Sequence, residues 1–155
     1  MAEHSTLTDP ELHEPKGAST ASSGDVYVAD GAGSGSWTTL PTKGYYVIAA
    51  YANDISQVET VYLAIPKAGT VVRCATVLMG ALSGADLGVT VANSAAATMG
   101  TITITQSGSA AGDVNAVAPS SNNTVSTDDF ITITGDGAPT SHTEVMMSVL
   151  IEYDL

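Results

Sequence analysis

From Gly44 onward the chain is a succession of short runs rich in β-branched and aromatic residues: YYVIAAYA (45–52), VETVYLAIP (58–66), TVVRCATVLM (70–79), LGVTVAN (87–93), GTITITQ (100–106), DFITIT (129–134) and TEVMMSVLIEYDL (143–155). Each run is bounded by Gly, Pro, Asn or Asp, the residues that end strands and make turns. No stretch over ten residues places its apolar side chains at the spacing of an amphipathic helix. Segments this short cannot satisfy their backbone groups alone, so they must pair with one another, and close spacing favours antiparallel pairing. The expected fold is therefore all-β: an antiparallel β-sandwich, jelly-roll-like. Composition agrees. Charged residues are only 13% of the chain, and the difference is filled by Thr, Ser, Ala, Val and Gly rather than by the Leu, Glu and Lys of long helices.

The punctuation gives the connections. PKAG (66–69) reads as a turn between two strands, and SGAD (83–86), SGSAAGD (107–113) and TGDGAPTSH (134–142) separate others. PSSNNTVSTDD (119–129) is the longest polar interruption and is expected to be an exposed loop crossing between sheets. VANSAAATMG holds a short Ala run that could make at most one or two helical turns. The echo of TITIT (101–105) in ITIT (131–134) reflects strand composition rather than a repeat.

Residues 1–43 have a different character and are read as an extended N-terminal arm to a β domain at 44–155. Residues 1–24 show neither period, and Pro10, Pro15 and Gly17 interrupt them. DVYVAD (25–30) is one alternating segment able to pair with something, and GAGSGSW (31–37) reads as a loop delivering Trp37 to a surface. So few apolar side chains cannot offset the entropy of ordering some forty residues, so the arm is expected to order against another surface.

The net charge is −12, from 16 acidic and 4 basic residues. Lys16, Lys43, Lys67 and Arg73 are the basic ones, and from Cys74 onward there are acids only. Phosphate neutralisation needs clustered Lys and Arg, so neither nucleic-acid binding nor adhesion to anionic membranes is expected. The charge instead favours solubility through mutual repulsion. Cys74 stands alone, which excludes an intrachain disulfide, and its setting in VVRCATV is that of a small buried apolar residue. The opening MAEHSTLTDPELHEP lacks a basic stretch followed by an apolar one, so no signal peptide is expected, nor any membrane span.

Catalytic constellations are not apparent. His4, His13 and His142 lie in the arm and in a polar loop, without metal-ligand spacing. There is no GxSxG elbow, no GxGxxG followed by a helix and no P-loop lysine. Asp30 and Asp136 read as turn carboxylates. Asp128 and Asp129 are adjacent and so point to opposite faces of a strand. Neither an enzyme, a metal nor a cofactor is expected.

Two stretches carry a resemblance. HEPKGASTASSGDVYVADGAGSGSW (13–37) is similar to a Gly-rich arm found near the start of tailed-bacteriophage virion proteins. The span from AIPKAGTVVRCATVLMGALSGAD (64–86) to SGSAAGDVNAVAPSSNNTVSTDDFITITGDG (107–137) resembles the β-sandwich of the same class, the capsid decoration (cement) and head-fibre-like proteins. The resemblance implies a virion structural protein made in the host bacterial cytoplasm and mounted on the outer capsid surface. It further implies a homotrimer whose arm clamps neighbouring copies of the major capsid protein. The residues are compatible with that: about forty extended residues reach at most roughly 130 Å. Candidate anchors are Val26, Tyr27, Val28 and Trp37, with Lys16 available to pair with an acidic capsid residue. Trp37 could equally pack under its own β domain. The alternative is a head- or tail-fibre module binding a host surface receptor through loops such as 107–128.

Overall fold

The structure, a computed structural model, describes residues 21–32, 35–40 and 42–155. It divides into two compact units, Met1–Thr42 and Lys43–Leu155. The described residues are all-β, with no helix. No helix among them is therefore long and apolar enough to cross a membrane.

In the first unit, β1 (Asp25–Ala29) pairs antiparallel with β2 (Gly35–Thr39) as a two-stranded sheet. The second unit contains β3 (Lys43–Ala52), β4 (Thr60–Ala64), β5 (Gly69–Leu78), β6 (Leu87–Asn93), β7 (Thr98–Ile104), β8 (Val114–Val117), β9 (Thr124–Val125), β10 (Phe130–Gly135) and β11 (Val145–Asp154). One sheet runs β3-β11-β5-β8, with β9 added beside the start of β5, and the other runs β4-β10-β6-β7. Every pairing is antiparallel.

The order has a simple logic. Leaving β9 aside, the first strand of the sandwich pairs with the last (β3 with β11), the second with the next to last (β4 with β10), then β5 with β8 and β6 with β7. The chain behaves as one long antiparallel hairpin rolled upon itself, which is the jelly-roll arrangement. PKAG therefore does more than turn: it carries the chain from the β4 sheet to the β5 sheet.

Period-2 alternation decides which side chains meet between the sheets. Along β11, Val145, Met147, Val149 and Ile151 are buried while Met146, Ser148, Leu150 and Glu152 are half-buried on the other face. Along β6 and β10, Leu87, Val89, Val91, Ile131 and Ile133 come in from the facing sheet. They join a single cluster that also takes Ile55, Ile65, Val71, Leu78 and Ile104. Two bulges bend the sheets. Opposite Leu150 and Ile151, Val72 is an extra residue on β5, and opposite Val91 and Ala92, Met99 is an extra residue on β7.

Three readings are corrected. GAGSGSW is not simply a loop: its last three residues begin β2. VNAV (114–117) is a strand, paired with β5, where only a turn and loop were expected. The 119–129 segment does cross between the sheets and most of it is exposed, as expected, but it is not all loop: in its middle β9 pairs with the start of β5, and the bend before β9 is tied down. Val125 is 2% exposed, Val71 N–H donates to the Asn123 carbonyl (2.8 Å), and Asn123 Nδ2 donates to the Val71 carbonyl (3.0 Å). At the same bend Asn122 Nδ2 donates to the Thr98 carbonyl (2.9 Å). The Ala run forms no helix. It is the tight connection between β6 and β7, with Ala96 at φ 58° and Asn93 Oδ1 accepting from Ala95 and Ala97 N–H.

Cys74 is buried in the core, where desolvation alone pushes its thiol up to about 12. In the folded protein it should resist a disulfide reagent at pH 8 and react at once in denaturant; fast native labelling would contradict this packing. Replacing the fully buried Ile131 with Ala should lower the unfolding free energy by about 2–5 kcal/mol in a urea titration. Replacing the exposed Thr101 with Ala should change it by no more than about 0.5 kcal/mol.

Candidate functional site

Of the proposed anchors, Lys16 lies outside the described residues, as do His4 and His13 and the arm over residues 1–20. The other four belong to the β1–β2 hairpin. Its register places Tyr27 directly opposite Trp37, with ring centroids 5.5 Å apart in an edge-to-face arrangement. Such a cross-strand aromatic pair stabilises a hairpin beyond the area it buries. Gly35 makes room for it: a Cβ there would lie 2.9 Å from the Tyr27 ring and would collide with the Val28 carbonyl oxygen.

Strand alternation splits the anchors. Tyr27 and Trp37 share one face of the hairpin, whereas Val26 and Val28 point to the other, beside Thr38 and Ser36. One surface therefore offers two half-buried rings, and the opposite one offers two aliphatic side chains, of which Val28 is 49% exposed. The Trp37 indole Nε1–H is out of reach of solvent and has no acceptor among the described residues.

A residue that sequence reasoning passed over closes the open end of the hairpin. Asp25 Oδ1 accepts from the Thr39 hydroxyl (2.7 Å) and Oδ2 accepts from Ser22 N–H (2.8 Å), while Gly24 turns the chain at φ 93°. The Thr39 bond, then the Ser22 bond, hold the Asp25 carboxyl below its ordinary value. The alternation in GSWTT was a signal for β2, masked by the Gly and Ser before it. At the closed end Asp30 Oδ1 accepts from Ala32 N–H (2.8 Å), the turn role expected of it.

Within the sandwich, one cluster brings Ser, Asp and His together, but in an order unlike a nucleophilic triad. Asp54 stands in the middle, with Oδ1 accepting from the Ser56 hydroxyl (2.6 Å) and Oδ2 3.0 Å from His142 Nδ1. The hydroxyl thus points at a carboxylate rather than at an imidazole base, and the His142 side chain is 79% exposed. The carboxyl of Asp54 is lowered chiefly by the Ser56 bond.

A surface recess of about 560 Å³ collects two of the cations. Lys43 Nζ lies 2.8 Å from Asp154 and 3.3 Å from Glu152, and Lys67 Nζ sits 3.7 Å above the Tyr153 ring. These are mutually satisfied contacts that tie the ends of β3 and β11 together. No group of three or more His, Cys, Asp or Glu side chains able to hold a metal occurs among the described residues. Asp136 is a turn carboxylate, accepting from Gly88 and Ala138 N–H at 2.9 and 3.0 Å. Asp129 caps its own strand through Phe130 N–H (3.0 Å).

Compared with protein-family models and with curated proteins, the chain matches none.

Because the folded Asp25 carboxyl titrates below its ordinary value of 3.8, its contribution to the hairpin is complete above 3.8 and is lost as pH falls through the lower folded value. Trp37, the sole tryptophan, reports this directly. Its emission should change in acid with a midpoint below 3.8, and the Asp25→Asn variant should lack that step. Superposable titrations of the two proteins would remove Asp25 as the hairpin's latch.

Proposed function

We propose that the protein is a non-enzymatic structural component of a tailed-phage virion. In this reading it decorates the outer capsid surface as a homo-oligomer, a trimer by resemblance, and its N-terminal unit grips neighbouring copies of the major capsid protein. The observation that carries the reading is the contrast between the two units. The sandwich possesses its own continuous core, whereas the other unit presents an aromatic pair on a hairpin of only two five-residue strands. Two strands alone are marginal in water, so such a hairpin gains most from packing on a further surface. Aromatic side chains carry a large share of interface energy, and a short strand edge can add to a partner's sheet. A carbonyl supplied by that partner would also satisfy the Trp37 indole, which lacks an acceptor among the described residues.

The sandwich then serves as a compact, acidic body displayed outward, its charge keeping virions apart. Jelly rolls occur in viral coat proteins and in lectins alike, so the fold argues for a virion or binding role only by analogy. The receptor-binding alternative relies on exposed loops such as 107–128. That segment holds the short strands β8 and β9 and is tied down at Asn122 and Asn123, while most of its residues remain exposed at the surface.

The test uses capsids of the protein's own virus depleted of it. Full-length protein should co-sediment to a saturating, symmetry-related copy number and raise the temperature at which the capsids rupture. A chain starting at Lys43 should do neither. Trp37→Ala and Tyr27→Ala should each weaken binding by about tenfold or more, as removal of an interface anchor does. If full-length protein leaves capsids unbound, the cement reading fails, and adherence to host cells becomes the measurement to make.

A further inference from the structure

The two solvent faces of the sandwich are built differently. On the four-stranded sheet, Thr60, Thr134, Thr90 and Thr101 stand abreast across β4, β10, β6 and β7, with the Thr60 and Thr134 hydroxyls 2.9 Å apart. Further threonines, Thr132 and Thr103, continue that face. Tyr62 and Phe130 pack together at one side of it, and hydroxyls make up most of the rest, a surface suited to water.

The outer face of the five-stranded sheet is not. Tyr51, Met146, Val77 and Val114 lie abreast across β3, β11, β5 and β8. Beside them runs a row of small side chains, Ala49, Ser148, Ala75 and Ala116, which keeps the middle of the face low and flat. Val47 and Leu150 continue the apolar surface. Several of these side chains are exposed: Tyr51 is 48% exposed, Val47 61% and Val114 59%.

The strand bounding this face is also unguarded. β3 is ten residues long and pairs only with β11 among the described residues. It has no proline and no bulge, and a single charge, Lys43, at its first position. Natural sheets rarely leave so long an apolar edge open unless something covers it. The other edge strands β4, β8 and β9 are short, and the β6–β7 pairing carries a bulge.

We propose that a second copy of this chain covers the outer face of the β3-β11-β5-β8 sheet, packing against it sheet to sheet. Charge selects that occupant. The chain carries −12, so two copies repel on most approaches. On this face the charges are Lys43 and Arg73 against Glu152 and Asp154, which cancel, and all but Arg73 are already joined at one end by the Lys43 ion pairs. Size agrees as well. Three strands of ten residues and one of four span roughly 500 Å² in projection, and more in accessible area, which is the order of the ~800 Å² per partner of a standard stable interface. This rests on the homo-oligomer of the function proposed above, with two copies meeting through one face in place of a trimer, but it is tested without capsids, so either can fail alone.

The measurement is the mass of the full-length chain in solution by light scattering, at concentrations up to roughly 100 µM, where even a weak specific contact is populated. Two copies joined through the same face close as a dimer, so twice 15.6 kDa is expected. Ala75→Arg, in the middle of the flat row, and Val47→Lys, on the exposed edge strand, should each yield folded monomer, while Thr101→Lys on the opposite face should leave the mass unchanged. In the unmodified protein, hydroxyl-radical labelling of Tyr51 should fall with concentration while that of Tyr62, 67% exposed on the threonine face, stays constant. This second readout decides the matter if a variant fails to fold. A wild-type monomer throughout the range, variants that stay oligomeric, or Tyr51 labelling that tracks Tyr62 would each overturn the proposal.

Discussion

The sandwich rests on the double pairing of one strand. β11 lies between β3 and β5, hydrogen-bonded to both along most of its length, and four of its side chains form the middle of the core. Its neighbours could not substitute for it, because β3 and β5 have no pairing with each other. Everything on that sheet takes its register from β11, including the bulge that accommodates Val72 and the Lys43–Glu152–Asp154 contacts at the open end. The facing sheet depends on it in turn, since the inward side chains of β6 and β10 share one core cluster with the four from β11.

Much of this was legible in the residues. The long strands announced themselves because each combines β-branched side chains with flanking turn residues, and all seven expected runs contain a strand. The misses share a physical cause. VNAV is four residues long, Thr124–Val125 is two, and GSWTT follows a Gly- and Ser-rich stretch, so none shows enough alternation to stand out from its surroundings. They are strands because a neighbour offers free backbone groups at that point, which is tertiary information. Strand order was illegible for the same reason: nothing local in TEVMMSVLIEYDL says that its partner begins about a hundred residues earlier, at Lys43.

The hairpin shows the same division. Composition identified Tyr27 and Trp37 as the unusual residues of the N-terminal stretch, but not that they face each other across two strands, nor that Val26 and Val28 turn away from them. Asp25 looked like an ordinary polar boundary residue, and only its position opposite Thr39 gives it a structural task. The Ser56–Asp54–His142 cluster illustrates the converse: three residue types associated with catalysis can meet in space and still be arranged as a loop clasp.

The late place of β11 in the chain has a consequence for synthesis. A ribosome adds about 5–20 residues per second, so β3 emerges roughly 5–20 s before the strand that must lie beside it. Throughout that interval neither β3 nor β5 can find its central neighbour, and their apolar faces and open edges are exposed together. The jelly roll cannot assemble progressively from its first strand; it must wait and then close almost at once. A nascent chain with such a schedule depends on being kept from its own kind until the last ten-residue strand is free.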